Sequence, residues 1–539
     1  MADQQNAKNA GNDATDPEAL AASMSKIAER SQALVNSFLS NQSGNMGMAD
    51  PLNVGSAFIE LTQRMMANPT HLIQAQFQLW QSYMNLWQST TQKMMGAEVE
   101  AIHEPDGEDR RFRDAEWDES ILFDYIKQSY LLSSRWLTNT VREVEGLDDK
   151  TAKKVDFYTR QFVDAIAPTN FLMTNPEVIR ATVESGGENL VKGLENLLDD
   201  MERGDGQLRI RQTDETAFTL GENIAVTPGK VVDQTDLMQL IQYEPQTEKV
   251  DARPLLIIPP WINKYYILDL QPKNSFINWC VQQGLTVFVV SWVNPDPKLA
   301  EKSFEDYMFE GPLAALDAIE KATGQKEANV IGYCLGGTLL ASTLAYMAEK
   351  KDKRFASATF FTALTDFTEP GELGVFIDEE QLDSLEERME KEGGVLEGSS
   401  MATTFNMLRA NDLIWSFVVN NYLLGKEPFP FDLLYWNSDS TRMPAEMHSF
   451  YLRRMYQENK LIEPGGIELG GVPIDLSKVD LPVFMLSTKE DHIAPWKSTY
   501  AATQIYSGPV KFCLAGSGHI AGVVNPPTVE KYGYWTAAK

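Results

Sequence analysis

Residues 328–340 read ANVIGYCLGGTLL, and the rest of the chain is best understood from this stretch. A short apolar run stops at a glycine-flanked cysteine, Cys334, and the chain then continues with the spacing of a helix. The pattern predicts a strand, a sharp turn and a helix, because glycine tolerates the backbone conformations that such a turn requires. A cysteine on such a turn suits thioester chemistry, since a thiolate is more nucleophilic than a hydroxyl. The alternative is a cysteine buried after a buried strand, and the pattern alone does not separate the two.

Composition narrows the class of protein. The 539 residues suffice for two or more domains, and the formal net charge of -29 argues against nucleic-acid binding, which needs a basic face. Three cysteines, Cys280, Cys334 and Cys513, are too few and too far apart for a disulfide framework or a metal site. Cys280 and Cys513 lie in apolar runs and are predicted to be core residues. With no leader-like start and no long apolar run, we expect a cytoplasmic protein without a transmembrane segment.

The first part of the chain is predicted to have no sheet. Residues 1–50 are expected to be mostly disordered, with a helix near residues 18–39. Residues 51–205 form a helical N-terminal region, in which one wide apolar helix face stands out. That face could pack on its own domain, or it could contact a partner helix or an apolar particle. Its members are Ile73, Phe77, Trp80, Met84, Trp87 and Met94, with Leu79, Tyr83 and Leu86 beside them.

Short apolar runs alternate with helical stretches over residues 206–539. A hairpin opens the series, and the alternation predicts a mostly parallel sheet covered on both faces. The longest gap between strands contains an acidic stretch followed by an aromatic one, and we expect a cap insertion at about residues 366–472. The predicted strands are 229–232, 238–243, 254–258, 286–290, 329–331, 358–361, 483–486 and 510–514.

Three of these strands end in residues that can work together. Cys334 follows one strand, Asp491 the next to last and His519 the last. The order nucleophile, acid, histidine is that of the α/β-hydrolase fold, so we predict this fold with a cap subdomain after the helical N-terminal region. Glu490 is the alternative acid, and His492 competes with His519, although His492 lies on the loop of the acid itself.

An oxyanion hole in this fold uses two backbone N–H groups. One belongs to the residue after the nucleophile, Leu335, and the other to the loop after the third strand. Within that loop Pro259 and Pro260 have no N–H to give, so Ile262 is the predicted donor. Ala521, two residues after His519, is predicted to adjust the size of the acyl pocket, because its small side chain leaves room beside the base.

The chain closely resembles the polyhydroxyalkanoate synthases, most like those of class I. The resemblance covers roughly residues 105–535 and rests on several blocks that occur together. These are Pro259 to Leu270 (PPWINKYYILDL), Gly332 to Gly337 (GYCLGG), Thr368 to Val375 (TEPGELGV), Asn411 to Tyr422 (NDLIWSFVVNNY), Pro430 to Trp436 (PFDLLYW), Glu490 to Trp496 (EDHIAPW) and Gly516 to Pro527 (GSGHIAGVVNPP).

The resemblance implies a polymerase that uses hydroxyacyl-CoA. Cys334 would carry the growing polyester as a thioester, with His519 as base and Asp491 as third member. The substrate would be a (3R)-3-hydroxyacyl-CoA, typically short-chain, and no cofactor would be needed beyond the CoA that is released. The resemblance also implies a homodimer associated with cytoplasmic polymer granules. A cysteine-dependent thioesterase of the same fold and a granule-coating scaffold protein are the competing interpretations.

Overall fold

The computed structural model describes residue 30, residues 54–107 and residues 109–537. Almost all of the predicted disordered tail, including the helix expected near residues 18–39, lies outside the described residues. The chain divides into two compact units. One contains the described residues up to Asp214 together with Arg409–Phe429, and the other contains Glu215–Leu408 and Pro430–Lys539.

The first unit is helical, as the periodicity predicts. Its helices pack through two hydrophobic clusters, one that includes Trp117 and Leu131 and one that includes Val155, all buried. None of the helices that the structure describes is both long and apolar enough to cross a membrane. The α-helices of this unit are Val54–Ala67, Pro69–Met94, Glu116–Glu119, Ile121–Arg142, Asp149–Ala165, Pro176–Glu184 and Glu188–Arg203, and two π-helical segments, Asn411–Trp415 and Val418–Leu423, belong to it.

Helix Pro69–Met94 packs with only part of its apolar surface. Ala75 and Leu86 are buried, and the Trp136 indole N–H donates to the carbonyl of Ala75 over 2.8 Å. The predicted apolar face therefore divides into two surfaces. One packs inside the unit, and the other, which we call the exposed stripe, faces solvent. The side chains of the exposed stripe are between 44% and 69% exposed: Ile73, Phe77, Trp80, Met84, Trp87 and Met94.

The strands of the second unit are β1 Gly229–Gln234, β2 Met238–Tyr243, β3 Leu255–Ile258, β4 Val287–Trp292, β5 Ala328–Tyr333, β6 Phe355–Phe361, β7 Val395–Leu396, β8 Met443–Pro444, β9 Glu468–Leu469, β10 Val472–Pro473, β11 Val483–Thr488, β12 Val510–Ala515 and β13 Tyr534–Thr536. Nine of them form one sheet in the order β1-β2-β4-β3-β5-β6-β11-β12-β13, while β7 pairs with β8 and β9 with β10. The predicted hairpin is antiparallel, and strands β4, β3, β5, β6, β11 and β12 run parallel to their neighbours in that series.

Both faces of this sheet are covered, which explains the continuous apolar runs. Along β3, Leu256 and Ile258 belong to one hydrophobic cluster, whereas Leu255 and Ile257 belong to the other. Successive side chains of a strand point to opposite faces, so a strand that alternates between two cores must be apolar throughout. The covering α-helices are Phe276–Gln282, Phe304–Met308, Ala314–Thr323, Leu335–Glu349, Trp496–Ala501 and Ala521–Val524.

The predicted cap region contributes to both units. Within the second unit it supplies four α-helices, Glu379–Lys391, Gly398–Leu408, Asp432–Ser438 and Ala445–Tyr451, and the last continues as a π-helical segment, Leu452–Gln457. Residues Arg409–Phe429 instead group with the helical unit. There a Cβ on Gly193 would lie 1.9 Å from the carbonyl oxygen of Tyr422, so the glycine permits a backbone approach that a larger residue would block.

Candidate active site

Cys334 occupies the sharp turn that the sequence predicts. It joins β5 to helix Leu335–Glu349 with φ 51° and ψ -119°, a conformation that costs a non-glycine residue about 1–3 kcal/mol. The surrounding sheet enforces it: the N–H of Cys334 donates to the carbonyl of Phe361 on β6 over 2.9 Å. The turn therefore holds the thiol at the carboxyl end of the central strand.

The glycines around Cys334 are required by close backbone contacts. A Cβ on Gly336 would lie 2.1 Å from the carbonyl oxygen of Ile258 on β3, and one on Gly332 would lie 2.6 Å from the Cα of Gly337. Any side chain at either position would separate the helix from the sheet. The first turn of helix Leu335–Glu349 is thereby pressed against β3, with its positive end beside the cysteine.

His519 and Asp491 meet beside this turn. The two residues are 28 positions apart in the chain, yet His519 Nδ1 lies 2.7 Å from Asp491 Oδ2, and both side chains are buried. Cys334 lies close enough for its charge to act on the imidazole. Because Nδ1 is taken by Asp491, the other ring nitrogen is the one available to the thiol. The structure thus brings the predicted nucleophile, histidine and acid together at one edge of the sheet.

The loop after β11 fixes the carboxylate of Asp491. Its Oδ1 accepts the N–H groups of Ile493 over 2.9 Å and Ala494 over 2.8 Å, and its Oδ2 accepts the hydroxyl of Thr488 over 3.2 Å. These donors leave one direction for Oδ2, towards His519. A carboxylate held in this way orients the imidazole and stabilises its positive charge.

The environment favours the protonated form of His519. Burial lowers the pKa of this imidazole, but the negative charges of Asp491 and Cys334, together with the hydrogen bond to Asp491, outweigh it and raise the pKa from 6.5 to about 10. The imidazole is therefore basic enough to take the proton of a neighbouring thiol.

The structure places the alternative residues differently from the predicted ones. The hydrogen bond to Asp491 is made by His519, whereas the backbone carbonyl of His492 accepts the N–H of Glu372 over 3.1 Å. Glu490 is exposed, and its N–H donates to Ser517. Cys280 and Cys513 are buried in the core, as predicted, and burial raises the pKa of the Cys280 thiol to about 12.

The predicted oxyanion donors belong to well-anchored backbone. Leu335 is the first residue of its helix, where N–H groups have no acceptor within the helix. On the loop after β3, the carbonyl of Ile262 accepts the N–H of Thr441 over 2.9 Å, and that of Lys264 accepts the indole N–H of Trp436 over 2.7 Å. These bonds fix the peptide planes of the loop that carries the Ile262 N–H.

Two supporting residues escaped the sequence analysis. The hydroxyl of Tyr333 donates to the carbonyl of His519 over 3.3 Å, and its ring stacks on the imidazole with centroids 5.9 Å apart. Thr488 donates to Asp491, as described above. Their positions in the sequence could have indicated both residues, because each lies at the carboxyl end of a strand that a predicted site residue follows.

Two family models match parts of this chain. Residues 254–526 match the family described as alpha/beta hydrolase fold, which confirms the predicted fold. Residues 108–280 match the family described as Poly-beta-hydroxybutyrate polymerase (PhaC) N-terminus.

Curated relatives extend the match to nearly the whole chain. The Poly(3-hydroxyalkanoate) polymerase subunit PhaC of Rhizobium meliloti (strain 1021) is 51% identical over 97% of this chain and 86% of its own length. The Poly(3-hydroxyalkanoate) polymerase of Methylorubrum extorquens is 54% identical over 88% of this chain and 78% of its own length. The Poly(3-hydroxyalkanoate) polymerase subunit PhaC of Cupriavidus necator is 43% identical over 85% of this chain and 77% of its own length. With an α/β-hydrolase sheet, a cysteine at its nucleophile turn and identity of this extent, the chain belongs to the poly(3-hydroxyalkanoate) polymerase family.

Proposed function

We propose that this chain polymerises a (3R)-3-hydroxyacyl-CoA, short-chain such as 3-hydroxybutyryl-CoA, into a polyester and releases CoA. The observation that carries the proposal is the hydrogen-bonded pair His519 and Asp491 beside Cys334 on its strained turn, in a chain of this family. The reaction needs no bound cofactor, because CoA arrives with the substrate.

The geometry supports a covalent mechanism with two half-reactions. In the first, Cys334 gives its proton to His519, the thiolate attacks the thioester carbon, and the carbon–sulfur bond to CoA breaks while His519 passes the proton to the CoA sulfur. The N–H groups of Leu335 and Ile262 hold the negative oxygen that develops during the attack. In the second, the hydroxyl of another acyl unit attacks the acyl group on Cys334 and gives its proton to His519, which passes it to the Cys334 sulfur as the carbon–sulfur bond breaks.

A thioesterase would share the first half-reaction and use water in the second. The aromatic surroundings favour polymerisation, because a wall of Phe367, Tyr451 and Tyr456 packs into the core beside the nucleophile turn. An apolar wall excludes water and accepts an acyl chain. Ala521, partly exposed at the start of helix Ala521–Val524, is the residue we propose to set the acyl size.

Incubation of the purified protein with 3-hydroxybutyryl-CoA separates the candidate functions. We expect CoA release together with an insoluble polyester, because the wall of aromatic residues keeps water from the acyl-enzyme. A thiol reagent measures the CoA that is released, and gas chromatography after methanolysis measures the amount of polymer. Free 3-hydroxybutyrate in place of polymer would identify a thioesterase, and no CoA release would identify a scaffold protein.

We further propose that the protein works as a homodimer on cytoplasmic polyester granules and that the exposed stripe contacts the polymer. Helix Pro69–Met94 has no aspartate or glutamate, in a chain that carries 76 acidic residues. The rings of Phe77 and Trp80 stack with centroids 6.0 Å apart and are exposed together. An uncharged aromatic surface of this kind suits an apolar polymer.

Replacement of Phe77, Trp80 and Trp87 by glutamine should move the protein from the granule to the soluble fraction. The expected cause is the loss of apolar area, while CoA release in solution stays unchanged because the substituted side chains lie outside the nucleophile site. Sedimentation with polymer granules measures the partition. The matched control replaces Gln74, Gln78 and Gln81, exposed on the same helix, by alanine. Unchanged partition with a changed oligomeric state would assign the stripe to a second copy of the chain instead.

A further inference from the structure

The helix Ala445–Tyr451 does not end at Tyr451 but continues as the π-helical segment Leu452–Gln457. In an α-helix, Tyr451 and Tyr456 would lie about 140° apart around the axis, on different faces. A π-helical turn is closed by i→i+5 bonds, so residues five apart come to the same side. The two rings accordingly meet with centroids 5.6 Å apart.

This tyrosine pair lies beside the nucleophile. Both phenols are within electrostatic reach of Cys334, and Tyr456 is also within reach of Asp491. Tyr451 is a buried member of the hydrophobic cluster against which Tyr456 and Cys334 pack. Burial raises the pKa of both phenols, so each keeps its proton at neutral pH and acts through hydrogen bonds.

The rotation of the same π-helical segment is fixed by Arg453. Its guanidinium contacts three carboxylates on one face of helix Glu379–Lys391. The bonds are Nε to Glu386 Oε1 at 2.8 Å, one terminal nitrogen to Glu379 at 2.7 Å, and the other to Asp383 at 2.7 Å and to Glu386 Oε2 at 2.9 Å. A planar guanidinium held by three partners has one orientation, which a lysine could not reproduce.

We propose that Arg453 is a positioning residue for chain transfer: it holds the π-helical segment so that Tyr456 hydrogen-bonds the hydroxyl of the incoming monomer. This inference rests on the proposed acyl transfer at Cys334. In the transfer step the hydroxyl oxygen forms a bond to the thioester carbon, and the carbon–sulfur bond to Cys334 breaks. The hydroxyl proton passes to His519 and from there to the sulfur that leaves. Tyr456 donates to the second lone pair of the attacking oxygen and keeps its own proton.

The test compares Arg453→Met, Tyr456→Phe and the double variant by rapid-quench measurement of CoA release from 3-hydroxybutyryl-CoA. Each single variant should keep the initial burst of CoA, because acylation does not use the monomer hydroxyl. Steady-state release should fall about tenfold in each, the effect of one lost hydrogen bond. The double variant should be no slower than Tyr456→Phe, because Arg453 acts through the tyrosine.

Arg454→Met is the matched control. Arg454 stands next to Arg453 on the same segment and forms an exposed pair with Glu458 over 2.7 Å, so its loss should leave both phases unchanged. If the reductions of steady-state CoA release multiply in the double variant, Arg453 acts independently of Tyr456. If Arg453→Met loses the initial burst, Arg453 acts in acylation. Either result overturns the proposal. Wild-type turnover in Tyr456→Phe overturns this inference alone, whereas the absence of CoA release from the unsubstituted protein would overturn the proposed function.

Discussion

Cys334→Ala should release no CoA and form no polymer, with a loss of turnover on the order of 10³-fold or more. Alanine keeps the Cβ and removes only the sulfur, so the nucleophile is lost while the turn between β5 and its helix keeps its geometry. CoA release from 3-hydroxybutyryl-CoA and a thermal unfolding curve are the two measurements. Turnover that survives in this variant would show that the turn is structural and that the nucleophile lies elsewhere.

Cys334→Gly is the matched control for that variant. Glycine accepts the φ of 51° without a clash, so this variant should be as inactive as Cys334→Ala but about 1 kcal/mol more stable. A gain in stability without turnover would show that the strain at Cys334 is retained for the reaction. Equal stability of the glycine and alanine variants would mean that the turn is relaxed in solution.

Asp491→Asn should still release one CoA per active site in a burst but form little polymer, with steady-state turnover reduced about 10²-fold or more. A thiol loses its proton far more easily than an alcohol does, so the Cys–His pair should manage acylation without the carboxylate. Chain transfer must deprotonate a hydroxyl, and for this the charge and orientation that Asp491 gives to His519 are needed. Rapid-quench measurement of CoA and of polymer follows the two phases separately.

His519→Ala is the companion variant, and it should show no burst. With no histidine the thiol has no base, and neither half-reaction starts. If Asp491→Asn also lacks the burst, the carboxylate serves acylation through His519. If it makes polymer at the normal rate, Asp491 has no part in the mechanism despite its 2.7 Å contact with the imidazole.

The sequence was sufficient to predict the sheet and to place Asp491 and His519 near the turn of Cys334, because both depend on local patterns. Runs such as Leu255–Ile258 are apolar throughout, and this directly reflects a strand covered on both faces. Each predicted site residue follows such a run, and the carboxyl ends of parallel strands meet at one edge. Chain order then allowed His519 to be preferred over His492.

Other features depend on contacts between distant parts of the chain and were not predictable. The aromatic stretch of the predicted cap region contains a π-helical segment that brings Tyr451 and Tyr456 together, and no local pattern in the sequence indicates it. The short strand β13, exposed along its length, has no burial pattern to reveal it. The exposed stripe and the packed surface of helix Pro69–Met94 are both apolar, and only the neighbouring helix distinguishes them.

The electrostatics of His519 imply that acylation of Cys334 lowers the pKa of the base that the next step needs. The negative charge on Cys334 is one of the causes that hold the pKa of the imidazole near 10. Once the sulfur carries an acyl group, that charge is gone, and the proton on His519 is held less tightly. The imidazole therefore gives its proton to the departing CoA and is neutral when the monomer hydroxyl arrives. The loading of substrate itself thereby prepares His519 to act as the base of elongation.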